Sequence, residues 1–172
     1  MESSFVLRDI DPASAADIAW VALGMHLTLA EVAGDKGAAT YPIEWTRTRL
    51  GEFLDPSKHV AHVFLAVASD DPTAIAGHTI LRLNEMPDGC RYGLVSTTYV
   101  DPAHRRSGIA DALLERGVAW IREQGMGEAA TWTSAANVKL IRLYEKHGFG
   151  ISETGENDGD AMVRLSKPLA PA

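Results

Sequence analysis

The sequence predicts a mixed α/β fold, with a mostly antiparallel central sheet of about seven strands flanked by about four helices. Two observations carry this prediction. Strand-like segments follow one another without a helix between about residues 60 and 100, which indicates an antiparallel meander. After this meander, strand-like segments alternate with segments of 3.6-residue periodicity, which is typical of layered α/β domains.

The first half of the chain is predicted to form a strand, two helices and three more strands. A strand at 5–8 precedes a helix from 12 to about 31, whose apolar residues recur at helical spacing. These residues are Ile18, Val21, Ala22, Met25 and Leu29. A Gly/Ala-rich loop at 33–41 ends this helix, and Pro42 begins the next, which runs to about 54. Strands follow at 60–68, 74–83 and 91–100, separated by turns at 69–72 and 84–89.

The second half is predicted to alternate helices and strands. The helix that begins near Ile109 carries one apolar stripe and ends at Gly125 and Gly127. A strand at 129–133 leads to a helix after Asn137, which Gly148 ends in a left-handed conformation. The last two strands lie at 149–153 and 161–165, joined by a polar loop at 154–160.

The composition predicts a single domain over residues 1–172 in the cytoplasm. A chain of 172 residues buries about two-thirds of its unfolded surface, and a hydrophobic fraction of 46% is ordinary. No apolar run approaches the roughly 20 residues of a membrane span, and residues 1–4 lack signal-peptide features. One cysteine cannot form an internal disulfide, and no Cys/His spacing indicates a metal site.

The net charge of −7 argues against a nucleic-acid partner, because such a chain repels the phosphate backbone. The one tight basic group is His104-Arg105-Arg106, which is sufficient for one anionic cofactor. The acidic surplus elsewhere favours a cationic acceptor, although acidic surfaces more often serve solubility.

Residues 100–110 combine a strand end, a basic turn and a helix start. The first N–H groups of a helix have no internal partner, and the helix macrodipole makes that end positive. Arg105 and Arg106 add permanent charge, and Gly108 permits close approach of the backbone. This pattern predicts a phosphate site, with an ordinary surface turn as the alternative.

A second cluster lies on the helix that follows Asn137. Tyr144 comes seven residues after Asn137, two helical turns on, so both side chains share one face. The alternative interpretation is that Asn137 only caps the helix and that Tyr144 is a half-buried core aromatic.

Together the two clusters resemble the GNAT superfamily of acyl-CoA-dependent N-acyltransferases. Arg105-x-x-Gly108-x-Ala110 matches the pyrophosphate motif of that family, with Val100 and Pro102 at the usual offsets before it. Asn137 and the segment 143–149 match its second conserved region, although Leu140 replaces a residue that is often small. The resemblance covers most of the chain, with about 50 residues carrying the motifs.

The resemblance implies acetyl-CoA as cosubstrate, no metal, and a set of site residues. In similar proteins the turn binds the pyrophosphate, the end of the fourth strand offers backbone N–H groups, and the second region binds the pantetheine arm. The implied cofactor residues are Thr98, Val100, Arg105, Arg106, Ser107, Gly108, Ile109, Ala110 and Asn137. Tyr144 is implied as the acid that protonates the leaving thiolate.

The acceptor side is less defined in the sequence. Residues 96–98 occupy the region where many similar proteins carry a glutamate base, which leaves Glu31, Glu44, His78 and Tyr99 as alternatives. Acceptor contacts are expected from Glu31, Tyr41, Glu44 and Trp45. The Gly/Ala-rich stretch 33–39 is expected to move as a lid. An acidic loop that contains Glu153, Glu156, Asp158 and Asp160 is expected to steer a cationic amine, with solvated surface as the alternative.

The sequence leaves three functions open. The first is an N-acetyltransferase that transfers the acetyl group to a primary amine of a small molecule by direct attack in a ternary complex. The second is a protein lysine or N-terminal acetyltransferase, and the third is an acyl-CoA-binding regulatory module with little turnover. The oligomeric state is open, with a homodimer as one option.

Overall fold

The computed structural model describes residues 4–171, and within 32–38 it describes the backbone alone. Its strands are β1 (Phe5–Asp9), β2 (Ala61–Ala68), β3 (Asp71–Glu85), β4 (Arg91–Val100), β5 (Glu128–Ser134), β6 (Gly150–Asn157) and β7 (Asp160–Pro168). Its helices are α1 (Ala15–Thr40), α2 (Ile43–Phe53), α3 (Ile109–Glu123) and α4 (Val138–Lys146), with a 3-10 turn at Pro102–His104. The predicted fold class is confirmed. In residues 4–171, no helix combines the length and the apolar character required to cross a membrane.

All seven strands form one sheet in the order β1-β2-β3-β4-β5-β7-β6. Every neighbouring pair is antiparallel except β4 and β5, which α3 connects. These two strands pair only at Gly93 with Ala129 and at Leu94 with Ala130, and beyond that point they diverge. The register of β3 with β4 also steps between Ile80 and Leu81, which makes Ser96 the extra residue of a β-bulge. Divergence and bulge together open the middle of the sheet.

Each face of the sheet is covered by helices. On one face, α1 and α2 cover the sheet, and Leu50 of α2 packs in one cluster with Leu65 of β2 and Ile80 of β3, all three fully buried. On the other face, α3 packs so closely that a Cβ atom at Gly93 would lie 2.2 Å from Ile121 Cγ2. This close approach fixes α3 against β4, and therefore fixes the N-terminus of α3 beside the end of the strand.

The predicted loop at 33–41 is wrong, whereas movement of the stretch 33–39 as a lid stays a prediction. Helix α1 continues through Thr40, so the stretch is helical. Alanine has the highest helix propensity, and an interior glycine costs only about 1 kcal/mol relative to alanine. Gly34 and Gly37 therefore weaken the helix without ending it, and no proline interrupts it before Pro42.

The predicted polar loop at 154–160 is also too long. Strands β6 and β7 remain paired as far as Asn157 and Asp160. Asp158 (φ 50°) and Gly159 (φ 85°) form the two-residue turn, because both tolerate the left-handed backbone that such a hairpin requires. An Asp-Gly pair is the sequence signature of this turn type.

His78 on β3 is fully buried beside Trp20 and Tyr99, and neither of its ring nitrogens has a hydrogen-bond partner among the described residues. Burial lowers its pKa to about 3, whereas the unfolded chain titrates at an ordinary pKa of about 6.5. Below pH 6.5, His78 therefore binds a proton in the unfolded state but not in the folded state. The contribution of neutral His78 to the stability of the folded state is therefore complete above pH 6.5, and it is lost as the pH falls from 6.5 toward 3.

We expect the free energy of unfolding to fall by about 2 kcal/mol between pH 7 and pH 5 because of His78 alone. Urea unfolding of the wild type and of His78→Leu at both pH values measures this contribution. The variant should lose most of the acid sensitivity, whereas the exposed-histidine variant His104→Gln should retain it. Equal pH dependence in wild type and His78→Leu would contradict the prediction.

Candidate functional site

Two cavities lie on either side of the β4 bulge and share Leu29, Ser96 and Thr97 in their walls. The first, here called the slot, has a volume of about 560 Å³ and lies between the diverging ends of β4 and β5, reaching the start of α3. The second, here called the helix-side cavity, has a volume of about 510 Å³ and is lined by α1, α2, β3 and β4. The two cavities therefore adjoin at the bulge.

The slot has free backbone donors along the end of β4. Asp101 N–H donates to Ala76 O of β3 at 2.8 Å. Because N–H directions alternate along a strand, the N–H groups of Val100 and Thr98 point away from β3 and into the slot. Beyond Leu94, β5 no longer pairs with β4, so these donors are open to a ligand.

The turn between β4 and α3 presents a helix N-terminus to the same slot. Gly108 is the N-cap with φ 85° and provides no side-chain cap, and the first helical hydrogen bond runs from Ala112 N–H to Gly108 O at 3.0 Å. The N–H groups of Ile109, Ala110 and Asp111 consequently have no acceptor within the helix. A Cβ atom at Gly108 would meet no other atom within 4 Å, so the space above these donors is open. The arrangement suits a phosphate group.

The charged residues of the turn have different roles. Arg105 donates to Glu31 at 2.7 Å and to Val100 O at 3.0 Å, which ties the turn to α1 and β4. Arg106 (φ 64°) lines the slot and is exposed, with its guanidinium available to an anion. Hydrogen bonds from Lys146, then from His147, lower the pKa of Asp111 and compensate its charge. The turn thus keeps a positive balance.

Tyr144 lines the slot and is only 3% exposed. Its ring packs edge-on against Phe149 with centroids 4.9 Å apart. Burial raises its pKa well above the ordinary value near 10, and a hydrogen bond with Thr131 offsets part of that rise. The Thr131 hydroxyl in turn donates to Val95 O at 2.9 Å, at the point where the two strands part. The phenol therefore keeps its proton at neutral pH.

Asn137 both caps α4 and lines the slot. Its Oδ1 accepts from Leu140 N–H at 3.4 Å, and its Nδ2 donates to Thr133 Oγ1 at 3.3 Å. Within the chain, Asn137 therefore acts as the N-cap of α4, as the alternative interpretation of the sequence proposed. The residues predicted for the cofactor line the slot, except Ser107, which lies beside it. The Ser107 hydroxyl donates to His104 O within the turn.

The residues predicted for the acceptor are not brought together. Trp45 lines the helix-side cavity, and Tyr41 packs on it with ring centroids 4.5 Å apart. Glu31 lies in the slot, where it pairs with Arg105, and Glu44 is exposed and lines neither cavity. The exposed hairpin residues Glu153, Glu156, Asp158 and Asp160 also line neither cavity.

None of the four alternative bases is placed as a free base in the helix-side cavity. Glu31 is paired, Glu44 is elsewhere, and His78 lines neither cavity. Tyr99 lines the slot, where burial first, and then the charge of Glu31, raise its pKa. Among the described residues, no group of three or more His, Cys, Asp or Glu side chains could hold a metal.

Sequence reasoning missed three charged residues of the helix-side cavity. These are Arg49 and Glu52 on α2 and Arg82 on β3. Arg49 donates to Glu52 at 2.8 Å, while Arg82 Nε is shielded from solvent and has no hydrogen-bond partner among the described residues. The available signal was a lone cation within the apolar strand segment 80–83.

Comparisons with known proteins agree with this geometry. The sequence matches the model of the Acetyltransferase (GNAT) family over residues 31–149. It is 30% identical to the mycothiol acetyltransferase of Salinispora tropica over 138 residues, which are 78% of this chain and 41% of that protein. The chain thus spans about two-fifths of the length of that curated relative.

Solved structures share the fold at low sequence identity. The NatC complex bound to Gag peptide and CoA includes a chain that matches with a TM-score of 0.71 and 17% identity, covering 97% of this chain and 99% of that chain. A GNAT-family acetyltransferase described as putative, from Desulfovibrio desulfuricans, matches with a TM-score of 0.70 and 18% identity, covering 96% and 99%. Because the family match extends over more than half of the residues, the chain belongs to the GNAT family of acetyltransferases.

Proposed function

We propose that the protein transfers an acetyl group from acetyl-CoA to a primary amine of a small molecule by direct attack in a ternary complex. The observation that carries the proposal is the pair of cavities that meet at Ser96 and Thr97. Acetyl-CoA would enter through the slot and the amine through the helix-side cavity. The two reacting groups would then be held together at the bulge, which makes the encounter effectively intramolecular.

The slot offers a contact to each part of acetyl-CoA. The pyrophosphate would sit on the free N–H groups of Ile109, Ala110 and Asp111, with Arg106 supplying a charge-assisted contact. The pantetheine arm would lie alongside β4, as an added strand would, in the gap where β5 has parted from β4. There it would accept hydrogen bonds from the N–H groups of Thr98 and Val100. The Asn137 amide lies on the opposite wall of the slot.

The chemistry requires a sequence of events at the bulge. An alkyl amine has an ordinary pKa of about 10.4, so its ammonium form must release a proton, which we assign to water because no free side-chain base among the described residues faces the cavity. The amine nitrogen then bonds to the thioester carbon, and a β4 N–H stabilises the oxyanion. The carbon–sulfur bond breaks, and the Tyr144 hydroxyl protonates the departing thiolate of CoA. The bonded amine nitrogen then loses its second proton, which returns through water to the Tyr144 phenolate and leaves a neutral amide.

The finer parts of this proposal have alternatives. A protein lysine or N-terminal amine would need to reach the bulge from outside, and the NatC complex, which includes a chain of the same fold, is bound to Gag peptide. A regulatory module would bind acetyl-CoA with little turnover. The cytoplasmic location, the homodimer and the single-domain organisation remain sequence-based expectations.

An amine library tests the proposal. We expect thiol release from acetyl-CoA to accelerate at least about 100-fold over the amine-free rate with one class of small primary amines. The assay should include free amines, amino acids, lysine peptides and peptides with free N-termini. Acceleration only by peptides would transfer the proposal to the protein-acetylating alternative. Tight acetyl-CoA binding without acceleration by any amine would support the regulatory module instead.

A further inference from the structure

The helix-side cavity contains the Arg82 guanidinium, which forms no ion pair with any described residue. Arg82 projects from β3 toward α2, where its guanidinium lies over the Phe53 ring. The distance from Arg82 Cζ to the ring centroid is 5.1 Å. Its Nε atom is inaccessible to solvent and has no hydrogen-bond partner among the described residues. A buried donor without a partner is costly, and a charged one is more so.

A second guanidinium makes the position of Arg82 more costly. Arg49 lies over the same Phe53 ring, 4.6 Å from its centroid. Burial, and then repulsion by Arg49, lower the pKa of Arg82. The one carboxylate among the described residues that line this cavity, Glu52, is engaged by Arg49 at 2.8 Å. The described residues of the cavity wall therefore carry two cations and one anion, which leaves one positive charge in excess.

We infer that the acceptor carries a carboxylate close to its amine, as an amino acid does, and that Arg82 binds this carboxylate. This inference rests on the proposed function, and it specifies the acceptor class. The guanidinium matches a carboxylate with two parallel hydrogen bonds, and an anion there would neutralise the excess charge. The amine end of such a molecule would extend toward Ser96 and Thr97, which line the same cavity.

Recognition of a carboxylate by Arg82 replaces the expected steering of a cationic acceptor by acidic residues. The acidic residues expected for that role lie outside the helix-side cavity, whereas Arg82 and Arg49 lie within it. A simple diamine would place a second cation beside two arginines. A zwitterionic amino acid avoids this repulsion, and the apolar wall formed by Met25, Leu29 and Trp45 would accept its side chain.

The test compares acids with their amides in matched variants. The protein amino acids that have a primary amine, and their carboxamides, serve as acceptors, and kcat/KM is measured for wild type and for Arg82→Gln. Dividing the acid-to-amide ratio of wild type by that of Arg82→Gln cancels the different basicities of the two amines. We expect this quotient to be at least about 30 for the best acceptor, since hydrogen bonds to charged groups contribute roughly tenfold to a hundredfold.

Two further variants separate a binding role from a general charge effect. Arg91→Gln removes the same charge from an exposed position on the neighbouring strand and should leave the quotient near 1. Arg82→Lys retains the charge without the two-pronged geometry and should recover part of the preference for acids. A quotient near 1 for Arg82→Gln would overturn the inference while leaving acetyl transfer intact.

A binding measurement decides the matter if no amine is acetylated. Trp45 lines the cavity and is 42% exposed, so its fluorescence should report occupancy. With CoA present, titration with the best-binding amino acid should give a saturable change that disappears in Trp45→Phe and weakens at least about tenfold in Arg82→Gln. No saturable change with any amino acid in wild type would overturn the inference. Saturable binding without transfer would instead count against the proposed function alone.

Discussion

Gly108→Asp is expected to weaken acetyl-CoA binding about 100-fold or more while the protein remains folded. The new carboxylate would stand at the N-cap of α3, where the pyrophosphate is proposed to bind. Two like charges about 5 Å apart repel by about 3 kcal/mol at an effective dielectric constant of 20. That energy corresponds to more than a hundredfold in affinity.

The fold should tolerate this substitution. A Cβ atom at Gly108 meets nothing within 4 Å, and aspartate is among the residues that best tolerate positive φ. Gly108→Asn has the same shape without the charge, so the difference between the two variants isolates electrostatic repulsion. Gly125→Asp places the same carboxylate at a glycine with φ 80° and open space, about 25 Å away beyond the far end of α3.

Calorimetry with acetyl-CoA provides the readout for all three variants. Gly125→Asp should bind like the wild type, and Gly108→Asn should lie between wild type and Gly108→Asp. Unchanged affinity in a folded Gly108→Asp protein would place the pyrophosphate elsewhere. Equal losses in Gly108→Asp and Gly108→Asn would show that bulk, and not charge, is responsible.

Tyr144→Phe is expected to lower the rate constant for acetyl transfer about 100-fold, which is the usual contribution of one general acid. The phenyl ring should remain packed on Phe149, so acetyl-CoA affinity should change by less than about twofold. The measurement is single-turnover transfer at saturating acetyl-CoA, where chemistry limits the rate. An unchanged rate constant would leave Tyr144 as a packed aromatic and would assign the proton to water.

Tyr92→Phe is the matched control for Tyr144→Phe. Tyr92 is 5% exposed, and its hydroxyl accepts from Asn84 Nδ2 at 3.3 Å, but it lines neither cavity. Both variants therefore lose one buried hydroxyl, at a cost to stability of about 1 kcal/mol. Only Tyr144→Phe should lower the transfer rate.

The raised pKa of Tyr144 also predicts the shape of the pH profile. Because the phenol stays protonated well above its ordinary pKa of about 10, the rate should not fall as the pH approaches 10. It should instead rise with pH, since more of the acceptor amine becomes neutral. A descending limb near pH 9 that disappears in Tyr144→Phe would contradict the raised pKa.

The elements most visible in the sequence were those with a strong period or a clear terminator. Strand β4 was predicted with its observed bounds, and α3 began at Ile109 as predicted, because a periodic apolar stripe follows Gly108. The errors arose where two local preferences compete. In α1 the alanines keep the chain helical despite two glycines. In the last hairpin the Asp158-Gly159 turn keeps β6 and β7 paired, although the residues beside it are polar.

The cofactor side of the candidate site was predictable because it lies on contiguous segments. The turn and the α3 N-terminus adjoin in the chain, and Asn137 and Tyr144 share one helix. The acceptor side depends on tertiary placement. Arg82 on β3 meets Arg49 on α2 only after the helices cover the sheet, and no local pattern in the sequence encodes that meeting.

A crystal structure with bound CoA tests the central claim most directly, namely that the slot holds the cofactor and opens onto the acceptor at the β4 bulge. We predict the pyrophosphate on the N–H groups of Ile109 to Asp111, and the arm along Thr98 and Val100. We also predict the sulfur within about 3.5 Å of the Tyr144 hydroxyl, facing Ser96 and Thr97. A CoA molecule bound with its sulfur outside the slot, or with its pyrophosphate away from the α3 N-terminus, would contradict this claim.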